Sequence, residues 1–240
     1  MHAEGYPRKD LVLTASVDFY FLQSRNYPRD RSLEMVGNRY NLTVKERNLL
    51  RRGVFGQKEA LTRRGKHSYF VPGKPESLGI DGHNVHITVE SAILGRLILK
   101  ANDKALRDIS EISSNFRLTD VSFFAAEMIC RFLEQQDIRE VAIYFDAPIS
   151  RSGELARLYN DLFKKHGIRG RASAVDVPER HLPYEQAIIA SSDSAVIDRA
   201  VKWIDLAAMV ISQEKEFRPF IDFSFLCQTW HMVDLSNEGD

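Results

Sequence analysis

Cysteine is scarce: the chain has two in 240 residues, Cys130 and Cys227, and no CxxC spacing. That excludes a disulfide framework and a thiolate zinc site, and makes a reducing cytoplasm the expected compartment. Long apolar runs are also lacking. The candidates are broken by Asp18, Arg96 and Glu127, well short of the ~18 residues of a membrane span, and no signal-peptide core is present. Neither GxGxxG nor GxxxxGK(S/T) occurs, and no DxD pair follows a strand. Those absences count against nucleotide-dependent, Toprim-type and phosphatase chemistry. Net charge is missing as well, since 33 Lys and Arg balance 33 Asp and Glu.

The balance conceals a division. Residues 1–75 hold 15 basic and 7 acidic side chains, and the remainder holds 18 and 26, so the two parts are electrically opposite. Such a split suits either a polyanion grip beside a cation-binding carboxylate cluster or two halves that attract each other. With 44% apolar and 28% charged residues the composition is that of an ordinary globular protein. The length fits one large domain or a small one joined to a larger one.

The pattern predicts a small all-α module over residues 1–55. A buried helix over 10–25 with Asp10 as its cap is followed by a short helix from Ser32. A third is opened by the capping box Thr43-Val-Lys-Glu46 and stopped by Gly53. The second and third would form a helix-turn-helix-like pair presenting Arg47, Arg51 and Arg52, or a helical cap with a solvated basic face. Residues 56–77, rich in Gly, Pro and basic side chains, read as a linker or arm carrying Arg63, Arg64, Lys66, Tyr69 and Phe70.

Residues 78–240 alternate strands and helices, which predicts an α/β domain with a mostly parallel sheet. Strands are expected to end at Asp81 and to cover 97–100, 105–109, 141–145, 171–175, 187–190 and 206–211. Helices are expected over 84–94, from the Thr119 cap to 136, and over 153–166 and 194–203.

Ligand sites in open α/β sheets lie beyond the carboxyl ends of the strands. Three predicted strands end in aspartate there: Ile80-Asp81-Gly-His-Asn84, Val141-Ala-Ile-Tyr-Phe-Asp146-Ala, and Ile188-Ile-Ala-Ser-Ser-Asp193. If these strands are neighbours, the carboxylates converge, and a hard divalent cation such as Mg²⁺ or Mn²⁺ would neutralise them. Taken singly, Asp193 reads equally well as a helix cap and Asp146 as a turn residue. His83 and His86 flank Asn84 as possible ligands or local hydrogen-bonding residues. Glu90, Asp120 and Glu127 are helix acids that could face the crevice or solvent.

In that order the segments IDGHN, VAIYFDA and AIIASSD resemble the strand ends of the PIN-like nuclease superfamily, most closely its NYN branch, over about residues 78–211. The resemblance implies a Rossmann-like three-layer fold and metal-dependent hydrolysis of RNA phosphodiesters. It implies Asp81, Asp146 and Asp193 as the acidic positions and Asn84 as the supporting polar one. Asp198 is a further, less secure metal ligand, about 140° around a helix from Asp193. The acidic helix that usually precedes the last motif is missing, so either Asp176 substitutes or the site is incomplete. YNLTVKERNLLRRGVFG resembles a module that accompanies such domains in an uncharacterised archaeal and bacterial family.

The expected activity is therefore that of a ribonuclease using Mg²⁺ or Mn²⁺. Arg47, Arg51, Arg52, Arg63, Arg64 and Lys66 would grip the nucleic acid, RNA in preference to DNA. A homo-oligomer is compatible with the sequence. Three other readings stay open: a nucleic-acid-binding protein without activity, a Rossmann-like phosphotransfer enzyme, and a structural contact between the basic and acidic halves.

Overall fold

The computed structural model describes residues 6–109, 117–213 and 217–227. In chain order the helices α1 (Lys9–Ser24), α2 (Arg29–Arg39), α3 (Val44–Gly53) and α4 (Gln57–Lys66) precede β1 (Glu76–Asp81) and α5 (Gly82–Ile93). Then come β2 (Ile98–Lys100), β3 (Leu106–Asp108), α6 (Asp120–Glu134), β4 (Ile138–Asp146), α7 (Ser152–Lys165) and β5 (Gly170–Val175). After a 3-10 turn, Pro178–Arg180, follow β6 (Ile188–Ala190), α8 (Ser194–Arg199), β7 (Trp203–Ile204), α9 (Leu206–Ile211), β8 (Ile221–Asp222) and a last 3-10 turn, Ser224–Cys227.

The chain divides into two compact units. Of the described residues, the first takes 6–65 together with 98–109 and 219–227, and the second takes 66–97, 117–213 and 217–218. The helical module thus recruits a hairpin and a C-terminal segment that the sequence division leaves in the α/β domain.

In the first unit, Thr43 caps α3 as the sequence signals, accepting from the Glu46 N–H while Glu46 reaches back to the Thr43 N–H. Glu46 also receives Arg8 at 2.7 Å, and that hydrogen bond, working against the cost of burial, holds its carboxyl down at about 2. Asp10 lies in the first turn of α1, whose N-cap is Arg8. The core joins Val12, Phe19, Leu49 and Leu50 to Ile221 and Phe223. Gly53 makes that join close, because a Cβ there would stand 2.5 Å from the Phe223 ring. Strands β3, β2 and β8 form a small sheet, and the Asn102 amide beside it pairs with both the N–H and the carbonyl of Phe55.

Helix α4 occupies much of the stretch expected to be a linker. Its Arg63 is buried, contacts Asp103 at 3.2 Å and lies 4.3 Å from the Phe55 ring centroid. Arg107 meets the same carboxylate with two bonds of 2.8 Å.

The second unit is built on a five-stranded, wholly parallel sheet in the order β5-β4-β1-β6-β7. The chain starts in the middle, runs outward through β4 and β5, then returns to the other side of β1 for β6 and β7. The order therefore reverses between β1 and β6, the position at which such sheets open a ligand crevice. Helices α5 and α7 pack on the sheet and α6 packs on both helices. Thr119 caps α6 as expected. Phe70 lies 6.3 Å from Phe132 of α6, which attaches the segment after α4 to this core.

One predicted strand is a helix. Residues 206–211 form α9 because Asp205 accepts from the Ala208 N–H and so caps it, and because Leu-Ala-Ala-Met favours helix. A short apolar run does not distinguish the two states by itself.

Replacing Asp103 by Ala leaves Arg63 and Arg107 buried without their carboxylate, and should cost about 3–5 kcal/mol in urea unfolding. Replacing Arg51, paired with Asp30 at the surface, should cost under about 1 kcal/mol.

Candidate functional site

Asp81 closes β1, the central strand, where Ile80 is paired with Ala190 of β6 and Asp81 with Tyr144 of β4. Asp146 follows two residues after Tyr144, and Asp193 three residues after Ala190. The three predicted strand ends are thus adjacent and leave the sheet on the same edge.

Short polar links hold the ends together. Ser191 Oγ donates to Asp81 Oδ2 at 2.9 Å and accepts from the Asp193 N–H at 3.0 Å. Asn84 Oδ1 accepts from the Ser192 N–H and hydroxyl at 2.8 and 2.7 Å. Asp193 caps α8, its Oδ1 accepting from the N–H groups of Ala195 and Val196. Its cap reading is correct, and that use leaves Oδ2 for another partner.

Gly82 lets α5 begin against β4, since a Cβ would stand 2.6 Å from the Phe145 ring and 2.8 Å from the Tyr144 carbonyl oxygen. That approach delivers His83 to Asp146. Its Nδ1 accepts from the Asp146 N–H at 3.0 Å and lies 3.2 Å from Oδ2, and its Nε2 faces Ser152 Oγ at 3.4 Å. Ser152 is buried and its hydroxyl is shared between the carbonyls of Asp146 and Ile149, so the Asp-His-Ser arrangement fastens a strand end instead of preparing a nucleophile. His86 is buried beside the Tyr159 hydroxyl, and burial lowers it to about 3, a core residue.

Asp81 is the electrostatic centre. Burial, reinforced by the carboxylates of Asp193, Asp146 and Glu179 and opposed by the Ser191 hydrogen bond, pushes its carboxyl up to about 7. Glu179, on the 3-10 turn after β5, was not singled out in the sequence. Only the acids in Val175-Asp-Val-Pro-Glu179 point to it, in the stretch where the acidic helix of the resembled family is missing. Ser191 and Ser192 were likewise legible only as the polar run after Ile-Ile-Ala.

Other predicted residues do not join this centre. Asp198 is exposed on α8, and its backbone carbonyl receives Lys66 Nζ at 2.7 Å. Glu90 is buried and accepts from Ser122, Glu127 pairs with Arg131 and Lys165, and Asp120 is exposed in the first turn of α6. Among the described residues, no three His, Cys, Asp or Glu side chains are grouped so as to hold a metal ion.

Each cation of the expected basic grip has a partner within the protein. Arg63 is buried on Asp103, and Arg52 pairs with Asp108 and Arg51 with Asp30. Arg47 folds back over Gly37 onto Asn38 and the Leu42 carbonyl. Arg64 donates to the carbonyls of Asn102 and Ser224, and Lys66 to that of Asp198. Helical spacing placed these side chains on faces but gave no sight of partners distant in sequence.

The family described as "Domain of unknown function (DUF5616)" matches residues 73–209, more than half of the chain. The chain belongs to the DUF5616 family. In this DUF5616 protein residues 12–66 also match "Protein of unknown function (DUF434)", a span that covers most of α1 to α4. It is 30% identical over 204 residues to an uncharacterized protein of Methanocaldococcus jannaschii, covering 84% of this chain and 97% of the relative. No solved structure matches. No helix among the described residues is long and apolar enough to cross a membrane.

The raised Asp81 carboxyl sets a pH dependence. Its unfolded value is about 4, so the native state holds the extra proton between about pH 4 and 7, and stability falls as pH rises through that window. With chelator present, Asp81→Asn should be more stable than the wild type at pH 8 by about 2–4 kcal/mol. The gap should close toward pH 4, as read from urea midpoints.

Proposed function

We propose that this protein is a metal-dependent ribonuclease whose site is the β1–β6 crevice. The observation that supports the reading is the gathering of Asp81, Asp146 and Asp193 at three adjacent parallel strand ends, at the point where strand order reverses, with Asp81 carrying the electrostatic cost. A cation relieves that cost, and oxygen donors without thiolates suit Mg²⁺ or Mn²⁺. The hydrogen bonds above use Oδ2 of Asp81 and Oδ1 of Asp193, so oxygens of the three carboxylates remain for an ion. When bound, the ion supplies a water of lowered pKa and offsets charge on the phosphate in the transition state.

The chain's own residues do the positioning. Asn84 and Ser192 join the loops after β1 and β6, Ser191 orients Asp81, and His83 holds the Asp146 strand end. No serine of the site is prepared as a nucleophile, which favours direct attack by water. The reading places the protein among hydrolases acting on phosphodiester bonds, with RNA as its partner and the cytoplasm as its compartment. A non-catalytic RNA-binding role is the second reading, favoured because, among the described residues, no three His, Cys, Asp or Glu side chains are grouped so as to hold a metal ion.

The wild type should cut labelled single-stranded or structured RNA with Mn²⁺ or Mg²⁺ and stop in excess chelator. Asp81→Asn should lower the rate at least ~10²-fold, a few kcal/mol of barrier. RNA binding without cleavage in any metal would replace this reading with the second.

A further inference from the structure

A crevice lined by carboxylates repels a polyanion beyond the reach of a bound ion, so a cationic side chain facing the substrate would aid a ribonuclease site here. The arginines expected to supply it are tied down in the first unit. Elsewhere, one arginine is held in a different manner.

Arg199 ends α8, the helix that Asp193 opens, and is exposed. Its guanidinium lies 4.3 Å from the centroid of the Tyr184 ring, and Nη1 donates to the backbone carbonyl of Glu179 at 3.0 Å. Both anchors belong to the irregular connection between β5 and β6. A ring and a carbonyl fix the planar group without cancelling its charge, and among the described residues Arg199 forms no ion pair with a carboxylate. The remaining N–H donors form a fork of the kind that receives two phosphate oxygens at once.

The ring locates this cation relative to the centre. The Tyr184 phenol lies within the fields of Asp81, Asp193 and Glu179 as well as that of Arg199. Its hydroxyl is buried and has no hydrogen-bond partner among the described residues. Tyr184 lies in the connection that leads into β6 and Arg199 ends the helix that follows β6, so ring and guanidinium meet between the two segments that flank the Asp193 strand.

We propose that Arg199, seated on Tyr184, is the residue that receives the phosphate backbone of RNA at the mouth of the crevice. The proposal rests on the ribonuclease reading for its substrate class and adds the subsite. It makes Arg199 a contact to the chain of the substrate, and Tyr184 a positioning residue that acts through it.

The test is fluorescence anisotropy of a labelled single-stranded RNA with the full-length protein in excess chelator, titrated with KCl. Arg199→Ala should raise Kd about tenfold and lessen the slope of log affinity against log salt by about 1. Arg199→Lys should restore the slope but only part of the affinity, since it keeps the charge and loses the fork. Tyr184→Leu should weaken binding with the slope unchanged, and Arg51→Ala should change neither. In Mn²⁺, Arg199→Ala should raise KM more than it lowers kcat. Wild-type affinity and salt slope in Arg199→Ala would overturn the proposal while leaving cleavage, if observed, intact. Weakened binding in a protein that never cleaves would support the subsite and defeat the hydrolytic reading. Absence of RNA binding by the wild type would overturn the subsite.

Discussion

A carboxyl group buried at the end of the central strand, with three further carboxylates acting on it, is the constraint around which the second unit is arranged. Asp81 has one hydrogen bond, from Ser191, to set against burial and the fields of Asp193, Asp146 and Glu179, and the outcome is a carboxyl raised to about 7. Relaxation would move the like charges apart. Instead the surrounding contacts hold them near: Gly82 seats α5 on β4, His83 grips the Asp146 strand end, and Asn84 bonds Ser192 across the point where strand order reverses. A buried acid whose carboxyl is raised at such a crevice is a recurrent mark of function.

Each carboxylate has a local role as well. Asp193 caps α8, Asp146 faces His83, and Asp81 is oriented by Ser191. These roles engage Oδ2 of Asp81 and Oδ1 of Asp193. The hydrogen bonds that fix the backbone at the strand ends also fix the starting positions of the side chains.

The strand ends were legible because each pairs an apolar run with a following aspartate, and the caps at Thr43, Thr119 and Asp193 because their chemistry is local. Reading failed where partners lie far apart in sequence. Arg63 looked like part of an exposed arm, yet Asp103, 40 residues away, buries it. The charge division at residue 75 misled for a related reason: Asp103 and Asp108 follow it in sequence but join the basic helices in the first unit, and there they answer Arg63, Arg107 and Arg52. Residues 206–211 failed through their apolar pattern, which lacks a distinguishing period until Asp205 is seen as a cap. Glu179 escaped notice because an irregular connection brings it to the site, and Arg199, at the end of α8, because its carbonyl partner lies 20 residues earlier in that connection.

The central claim is that the strand ends at the reversal point form a cation site. Its most direct test is Mn²⁺ binding followed by electron paramagnetic resonance of the free ion, in the wild type, Asp81→Asn, Asp146→Asn and Asp198→Asn. Saturable binding by the wild type and by Asp198→Asn, lost or weakened at least ~10-fold in the other two, is the predicted result. Equal binding by all four, or none by the wild type, would contradict the account.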